Sequence, residues 1–379
     1  MPNKPYQVAP SSQEMEYKSS DRWSPNVPLA NILILRFSAI GDVAMTVPVI
    51  DSLARQYPEN KYTVVSQSFL SPLFAYCPDN VRFAGVEFQS QYRGIFGIYR
   101  LFQELSKQKF DAVADLHDVL RTKLLRFFLR CSGLKIKHID KGRKEKRLLT
   151  RKNNKDFKQL KHTVERYADV FGALGYPLAS LDFRSVFGLS RGDLGGIMQI
   201  TGKKSGRWIG VAPFAKHAGK MFPKERTEEV VAHFANMADV TIFLFGGGKD
   251  EQTVLNEWEA KYPKTISVAG KLDLSAELIL MSHLDVMLSM DSANMHLASL
   301  TATPVVSVWG ATHQYAGFYG YKQLPDNAVQ IDLSCRPCSV YGNKPCYRKD
   351  RECLSRITAQ MVISSINTLF SGDSETSSE

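Results

Sequence analysis

The feature that most constrains the fold is the stretch at residues 31–50, NILILRFSAIGDVAMTVPVI. An apolar run at 32–35 is followed by Ser-Ala-Ile-Gly-Asp, after which apolar residues recur at helical spacing. This pattern predicts a buried strand, a glycine turn and a helix that begins near Asp42. In an open α/β sheet such a turn lies at the carboxyl edge of the strands, where ligands bind. Asp42 is therefore a candidate site residue, with simple helix capping as the alternative.

The rest of the chain alternates short apolar runs with helical patterns, which predicts α/β architecture with parallel, doubly wound sheets. At 379 residues, the chain is long enough for two domains. Between these patterns, residues 134–158 are rich in charged residues and predict an exposed basic loop. The predicted organisation is a disordered tail at 1–27, a first domain at 28–185, a second domain at 206–355, a closing helix at 356–370 that packs back across both halves, and a tail at 371–379.

The net charge of +10 is concentrated in one part of the chain. Residues 121–166 contain 17 Lys and Arg against four acidic residues, a local charge of +13, so the remainder sums to −3. Such a basic region favours polyanions: nucleic acid, an anionic membrane face or a phosphorylated glycolipid. A solvated loop that aids solubility is the alternative. The sequence has no run of about 18 apolar residues and a polar first 27 residues, which predicts a cytoplasmic protein.

A second candidate site follows another predicted strand, in the text Met-Asp-Ser-Ala-Asn-Met-His at residues 290–296. Here a helix is predicted to begin within two residues of Asp291, with Ser292 and His296 four apart on one face. The unpaired amides and partial positive charge of a helix start suit a diphosphate. Alternatively, Asp291 caps the helix and His296 is a satisfied core histidine.

Two further segments of the second half add candidates. The loop at 212–223, APFAKHAGKMFP, carries Lys216 and Lys220 after a predicted strand. Either lysine could approach a phosphate or be solvated. Glycines at 246–248 precede Asp250 and Glu251, and either carboxylate could bind a sugar or ribose hydroxyl.

Near the C terminus, four cysteines have spacings that suit a structural zinc ion. An unmetallated cluster is the alternative. The four residues are Cys335, Cys338, Cys346 and Cys353.

The motifs together resemble glycosyltransferase family 9, the lipopolysaccharide heptosyltransferases. The resemblance is carried by R-F-S-A-I-G-D-V-x-x-T-x-P, by D-S-A-x-M-H-L-A-x-x-x-x-T-P-V-V-x-x-W-G, by the K-x-F-P that begins at Lys220, and by the H-T-V-E-R-Y that begins at His162. Ala293 stands where the family more often has glycine. The resemblance implies two Rossmann-like domains facing a cleft, the glycosyltransferase B type. It also implies inverting transfer of heptose from ADP-heptose to a lipid A-linked core acceptor, with no cofactor required for catalysis.

The same resemblance implies roles for individual residues. Asp42 becomes the base that activates the acceptor hydroxyl, and Lys220 contacts the donor phosphates and stabilises the leaving diphosphate. Arg121 and Lys123 follow a D-L-H segment that resembles the acceptor side of the family, which implies that they bind acceptor phosphates. The basic loop would hold the anionic lipid-linked acceptor, with the protein peripheral at the inner face of the inner membrane. The implied donor-binding residues are Lys220, Glu251, Asp291, Ser292, Ala293 and His296.

Two alternative functions remain open from the sequence. One is the same fold transferring another nucleotide-activated sugar to a cell-envelope glycan. The other is a non-enzymatic protein that binds nucleic acid or another polyanion through the basic region. No nucleic-acid-binding motif accompanies the charge, so we expect a nucleotide sugar and an anionic lipid-linked glycan as the partners.

Overall fold

A computed structural model describes residues 29–375, so the predicted tail at 1–27 lies outside the described residues. The chain forms two parallel sheets with helices on their faces, which confirms the α/β prediction. In the first half the strands are β1 Asn31–Leu35, β2 Lys61–Gln67, β3 Val81–Val86, β4 Ala112–Asp115 and β5 Lys135–His138. Its helices are α1 Ile40–Ala44, α2 Val47–Gln56, α3 Gly94–Ser106, α4 Leu120–Cys131, α5 Arg143–Leu149 and α6 Thr163–Leu174.

The second half repeats the alternation. Its strands are β6 Arg207–Ala212, β7 Val240–Leu244, β8 Thr265–Ser267, β9 Val286–Met290, β10 Val305–Val308 and β11 Ala328–Val329. Its helices are α7 Met198–Thr201, α8 Lys224–Ala235, α9 Lys249–Lys261, α10 Leu274–Met281, α11 Ala293–Leu300, α12 Glu352–Ser355 and α13 Ala359–Glu375.

Both sheets have the strand order of a Rossmann-like fold. The first sheet runs β3-β2-β1-β4-β5 and the second runs β11-β10-β9-β6-β7-β8. The order in which successive strands are added therefore reverses between β1 and β4 in the first sheet and between β6 and β9 in the second. Ligands bind outside the carboxyl ends of strands at such reversal points. Asp42 follows β1, and Asp291 follows β9. The topology therefore brings both candidate sites to the edges where ligands are expected.

Strand β1 shows why the first sheet forms where it does. Its residues from Ile32 onward are fully buried. Because successive side chains of a strand alternate between faces, Ile32 and Ile34 pack on one side and Leu33 and Leu35 on the other. A strand buried on both faces reads as a continuous apolar run, which is the reason the sequence predicted it.

The prediction of an exposed basic loop at 134–158 is wrong for residues 135–138 and 143–149. It holds for residues 151–158, which lie outside helices and strands and are mostly exposed. This segment contains β5 and α5, and β5 pairs with β4 in parallel register at the edge of the first sheet. Within α5, Lys146 and Leu149 are buried although most of the helix is charged. Two buried positions three residues apart, one of them a lysine, are too weak a pattern to predict a seven-residue helix. Tertiary packing supplies most of the stability of so short a helix.

The closing helix α13 also differs from expectation. It extends past the predicted end, and the sequence placed it across both halves. Instead it packs on α8 and on the β9, β10 and β11 strands, with its apolar residues in a core made by the second half. Within residues 29–375, no helix is long and apolar enough to cross a membrane.

Candidate active site

A cavity of about 820 Å³ lies between the two halves and is lined by residues from both. Helix α1 of the first half packs directly against α11 of the second half at its floor. We call this space the donor cavity, because all six donor-binding residues implied by the resemblance line it together with the implied base. These are Asp42, Lys220, Glu251, Asp291, Ser292, Ala293 and His296.

Asp42 lies in the short helix α1 and is about one-third exposed, at 34%. Its Oδ2 forms an ion pair with the Arg36 guanidinium at 2.7 Å and accepts a long 3.4 Å hydrogen bond from the Ala39 amide. Both of these polar contacts are made by Oδ2, and the residue lines the donor cavity. Asp42 therefore contributes to the helix start, as the capping alternative proposed, and also presents a carboxylate oxygen to a ligand.

Arg36 was part of the quoted motif but was given no role from the sequence. It is buried, its guanidinium also donates to the Leu116 carbonyl oxygen at 2.8 Å, and its charge lies 5.8 Å from the centre of the Tyr167 ring. The Tyr167 hydroxyl in turn donates to the backbone carbonyl of Asp42 at 3.3 Å. These contacts hold the Asp42 carboxylate in one orientation, so Arg36 and Tyr167 are positioning residues for it.

Lys220 and Asp291 meet across the donor cavity. Their side chains form an ion pair at 2.8 Å, with Asp291 only 5% exposed and Lys220 17% exposed. Gly342 packs against the lysine stem, because a Cβ there would lie 2.6 Å from Lys220 Cγ. The ammonium is thus held in place beside the start of α11, where it can turn toward an anionic ligand.

Helix α11 begins without a side-chain cap. Ser292 is its N-cap residue in extended backbone, and no side chain within residues 29–375 accepts a hydrogen bond from the first amides. The Ser292 hydroxyl instead approaches Ser289 Oγ at 3.2 Å. The capping role considered for Asp291 is therefore wrong, and the open amides of this helix face the donor cavity with a partial positive charge.

His296 is buried and lies one turn into α11. Within the described part of the chain, its Nδ1 atom has no hydrogen-bond partner, so it is not the satisfied core histidine of the alternative interpretation. Burial lowers its pKa to about 4, and the ring is therefore neutral at neutral pH. An unpaired buried nitrogen costs free energy unless a ligand or water completes it.

The glycine turn after β7 places Glu251, rather than Asp250, at the cavity. Glu251 Oε2 accepts from the Gly247 amide at 2.8 Å and lines the donor cavity. The sequence did not single out Glu277, which lines the same cavity from α10. Burial and the neighbouring Asp273 raise the pKa of its carboxyl to about 7. Its only sequence signal was a lone acidic residue within an apolar helix.

A second, smaller cavity of about 260 Å³ adjoins the first on the side of the first domain. It contains four cationic side chains, which belong to Arg36, Lys141, Lys146 and Arg166. Asp42, Ala39, Phe318 and Tyr341 line both cavities. The H-T-V-E-R-Y motif contributes Thr163, Arg166 and Tyr167 to this wall, which explains its position in the chain.

The predicted acceptor residues Arg121 and Lys123 lie elsewhere. Both are exposed near the start of α4, and neither lines the two cavities. Arg121 stacks over the Phe88 ring at 4.9 Å, and Lys123 lies 3.8 Å from Asp118. They belong to the outer surface of the carboxyl edge.

The four clustered cysteines are free thiols. They influence one another, since Cys335 and Cys346 are among the groups that raise the pKa of Cys338, after burial itself. Within residues 29–375, no three His, Cys, Asp or Glu side chains converge as the ligands of one metal ion. Three of the thiols, those of Cys338, Cys346 and Cys353, line a separate cavity behind the Lys220 loop.

We expect the Gly41→Ala substitution to damage the site without unfolding the chain. A Cβ at this position would lie 2.6 Å from His296 Cδ2 and 3.4 Å from the Ala293 backbone, so α1 and α11 must separate. Overpacking of this kind costs about 1–3 kcal/mol. Thermal unfolding should show a lowered melting temperature, and donor binding by calorimetry should weaken. The Gly172→Ala variant is the control, because a Cβ there has only ordinary contact at 3.9 Å. Equal donor affinity in both variants would contradict the close contact.

Curated proteins with similar sequences are heptosyltransferases by name. Among curated proteins, the lipopolysaccharide core heptosyltransferase OpsX of Haemophilus influenzae is 24% identical over 306 residues, which cover 79% of this chain and 84% of that protein. Lipopolysaccharide heptosyltransferase 3 of Escherichia coli is 23% identical, covering 72% of this chain and 81% of its own length.

Solved structures with the same fold include two heptosyltransferase-type proteins. A glycosyltransferase of family 9 from Veillonella parvula superposes with a TM-score of 0.70 at 20% identity, covering 90% of this chain and 98% of that one. The ADP-heptose LPS heptosyltransferase II of E. coli superposes with a TM-score of 0.64 at 18% identity, covering 91% and 99%. The two-domain glycosyltransferase B architecture is therefore confirmed.

The model of glycosyltransferase family 9 (heptosyltransferase) matches residues 98–346, a span that holds the Lys220 loop, the turn at Glu251 and the whole of α11. It accordingly covers the second-half residues that line the donor cavity. This chain belongs to glycosyltransferase family 9, the heptosyltransferase family, and is a glycosyltransferase.

Proposed function

We propose that this protein transfers a heptose from ADP-heptose to a lipid A-linked lipopolysaccharide core acceptor, with inversion at the anomeric carbon. The observation that carries the proposal is the position of Asp42. Its carboxylate lies on the wall shared by the donor cavity and the smaller cavity with four cationic side chains, which we call the cationic cavity. It can therefore take the proton of an acceptor hydroxyl that enters from the cationic cavity and faces the donor sugar.

In the proposed reaction, an acceptor hydroxyl attacks the anomeric carbon from the face opposite the diphosphate. The new carbon–oxygen bond forms as the bond from that carbon to the diphosphate oxygen breaks, and Asp42 takes the hydroxyl proton. Lys220 and the open amides of α11 receive the negative charge that develops on the leaving nucleoside diphosphate. All of these groups come from this chain, and the proposal assigns no step to a cofactor.

Binding of the donor requires the Lys220–Asp291 ion pair to loosen. A diphosphate at the start of α11 competes with the Asp291 carboxylate for the ammonium, and phosphate oxygens accept strong charge-assisted hydrogen bonds. In this proposal the Glu251 carboxylate, which lies at the glycine turn, accepts a hydrogen bond from a hydroxyl of the nucleoside ribose. The choice of ADP-heptose as donor is supported by the similarity of fold to the E. coli ADP-heptose LPS heptosyltransferase II.

The main alternative is the transfer of another nucleotide-activated sugar to a cell-envelope glycan by the same site. It is favoured by the same observation, since open amides, a lysine and a carboxylate recognise a nucleoside diphosphate more specifically than they recognise its sugar. The non-enzymatic polyanion-binding alternative is disfavoured, because the family is one of transferases.

The test is nucleoside diphosphate release from a panel of nucleotide sugars, with lipid A-core acceptors truncated at successive sugars. We expect release only with ADP-heptose, and only when an acceptor is present. An NMR spectrum of the product should show the anomeric configuration opposite to that of the donor. Turnover of a different donor would exclude the heptose assignment, and a retained configuration would exclude the inverting mechanism.

We further propose that the enzyme works as a peripheral protein at the inner face of the inner membrane. The carboxyl edge of the first sheet carries exposed apolar side chains at the starts of α3 and α4: Ile95 at 66%, Phe96 at 89% and Leu120 at 83% exposure. Exposed cations surround them at Arg93, Arg121 and Lys123. We call these six residues the apolar-basic edge. Apolar insertion combined with attraction to anionic lipid is the usual basis of interfacial binding.

We expect the double substitution Phe96→Ser and Leu120→Ser to weaken binding to vesicles of mixed zwitterionic and anionic phospholipid. Transfer of each apolar side chain from water into the membrane interface contributes about 1.5–3 kcal/mol of binding free energy, which the substitution removes. The affinity for the vesicles should therefore fall by at least about tenfold. Vesicle co-sedimentation measures the effect. Leu189→Ser is the control, since Leu189 is 83% exposed but lies outside the apolar-basic edge. Unchanged binding of the double variant would rule out this surface.

A structural zinc ion at the four clustered cysteines stays a prediction. The thiols lie near one another, but their side chains are not arranged as a ligand set within the described residues. Metal analysis of the purified protein, compared with a Cys338→Ser variant, tests it: one equivalent of zinc that is lost in the variant supports the prediction, and a metal-free native protein contradicts it.

A further inference from the structure

The cationic cavity beside Asp42 contains more positive charge than its neighbours neutralise. Arg36 is paired with Asp42 at 2.7 Å, and Arg166 is paired with Glu145 at 2.5 Å. The charges of these two arginines are therefore neutralised by carboxylates. Within residues 29–375, the two lysines of the same cavity, Lys141 and Lys146, form no ion pair with a carboxylate.

Lys146 is the clearer case. It is only 6% exposed, and its ammonium lies 4.0 Å from the centre of the Phe318 ring. Among residues 29–375 no carboxylate lies within ion-pair distance of it. Burial lowers its pKa to about 8, with the nearby Arg166 as the next cause. A buried ammonium without an anionic partner is costly, so its retention requires a reason outside the folded chain itself.

Lys141 has a comparable environment. Its ammonium donates to the Asp118 backbone carbonyl at 3.3 Å. The Asp118 carboxylate already contacts Lys123, Arg126 and Arg143, so it has little charge left to offer a fourth cation. His117, on the same wall, adds no charge, because burial lowers its pKa to about 3.

We propose that Lys141 and Lys146 bind an anionic substituent, a phosphate or a carboxylate, on the acceptor at or next to the sugar that carries the attacking hydroxyl. This inference rests on the proposed function, since it takes the cationic cavity as the acceptor side of Asp42. The cavity volume of about 260 Å³ is below the roughly 300–1,000 Å³ of sites that hold drug-sized ligands. It suits one charged group and part of a sugar ring, not a whole oligosaccharide.

The shared wall sets the position of this group. Asp42 lines both cavities, so an anion on Lys146 places the adjoining sugar with a hydroxyl near the Asp42 carboxylate. Two fixed ammonium groups thereby select which sugar of an anionic glycan is presented to the donor. An acceptor that lacks the anionic group leaves the buried Lys146 and the half-buried Lys141 without an anionic partner, and a site of this kind discriminates strongly against such a ligand.

The first experiment uses inorganic phosphate as the probe and does not require turnover. Melting temperatures are measured against phosphate concentration for the native protein and for Lys146→Met, Lys144→Met and Lys220→Met. Lys144 lies on the same helix as Lys146 but is exposed, which makes it the matched control. Because phosphate can also bind the donor site, Lys220→Met reports that contribution separately.

We expect phosphate to raise the melting temperature of the native protein, Lys144→Met and Lys220→Met, and to have a smaller effect on Lys146→Met. Without phosphate, Lys146→Met should melt at or above the native temperature, because an unpaired buried charge has been removed and the apolar stem retained. A phosphate response that is identical in Lys146→Met and Lys144→Met overturns the anion site, whatever the result of the donor panel.

The second experiment identifies the anion by acceptor kinetics. Acceptors are compared with and without their phosphates, and with and without carboxyl reduction. With the acceptor that carries the correct group, Lys146→Met should lower kcat/KM by about 10- to 100-fold, the loss expected for a hydrogen bond to a charged group. Lys146→Arg should recover part of this. Removing the group from the acceptor should abolish the difference between native and variant enzymes. An equal defect on every acceptor would overturn the proposal.

The two experiments separate this inference from the proposed function. If no nucleotide sugar turns over but the phosphate response depends on Lys146, the anion site stands and the proposed reaction falls. If ADP-heptose turns over and the response does not depend on Lys146, the reaction stands and the anion site falls.

Discussion

Asp42→Asn should lower kcat by about 10²–10⁴-fold while leaving the dissociation constant for the nucleoside diphosphate within a few-fold of the native value. The amide keeps the shape of the side chain but cannot accept the acceptor proton, and general base catalysis typically contributes 10²–10⁴-fold. Product formation from saturating donor and acceptor measures kcat, and calorimetry measures binding.

This variant also removes the anionic partner of Arg36. Arg36 is 7% exposed in its side chain, so a modest fall in melting temperature is expected together with the loss of activity. Asp169→Asn is the matched control, because that carboxylate is 58% exposed and pairs with Lys161 away from both cavities. Transfer by Asp42→Asn at a rate close to native would exclude Asp42 as the base.

Lys220→Met should lower kcat/KM by about 10²–10³-fold, because the charge that faces the leaving diphosphate is lost. The same substitution leaves Asp291, which is only 5% exposed, as an unpaired carboxylate. Breaking one partner of a buried pair destabilises strongly, so the single variant is expected to melt at a lower temperature than the native protein.

A double variant separates stability from chemistry at this pair. Lys220→Met combined with Asp291→Asn removes both charges, and its melting temperature should recover most of the loss. Its transfer activity should remain low, since no cation faces the diphosphate. Recovery of activity along with stability would mean that Lys220 serves only to neutralise Asp291.

The sequence predicted the central parts of both sheets well, for a simple physical reason. Strands such as β1 and β9 are buried on both faces and read as apolar runs, and each is followed by a turn that carries its polar residue to the sheet edge. The order of these units along the chain sets the parallel topology. Asp42 and Asp291 could therefore be selected from local pattern and family resemblance.

Predictions from the sequence were least accurate in segments that are rich in charged residues. The segment at 134–158 was predicted to be a basic loop, yet residues 135–138 form the edge strand β5 and residues 143–149 form the helix α5. The segment contains eleven Lys and Arg residues, and this density of charge hides the few buried positions. Arg121 and Lys123 follow a predicted strand, but neither residue lines either cavity.

By itself, then, the sequence determined the strand–turn–helix units, the residues at their carboxyl ends and the family, because these depend on short-range periodicity and on motifs within a few residues. Only the tertiary structure decided which distant residues share a cavity. Lys146 is distant in sequence from Phe318, whose ring it contacts. Arg36 likewise contacts Tyr167, which is far along the chain, and pairs with Asp42. Burial and charge balance at such a site are sums over residues far apart in the chain, and no local pattern contains them.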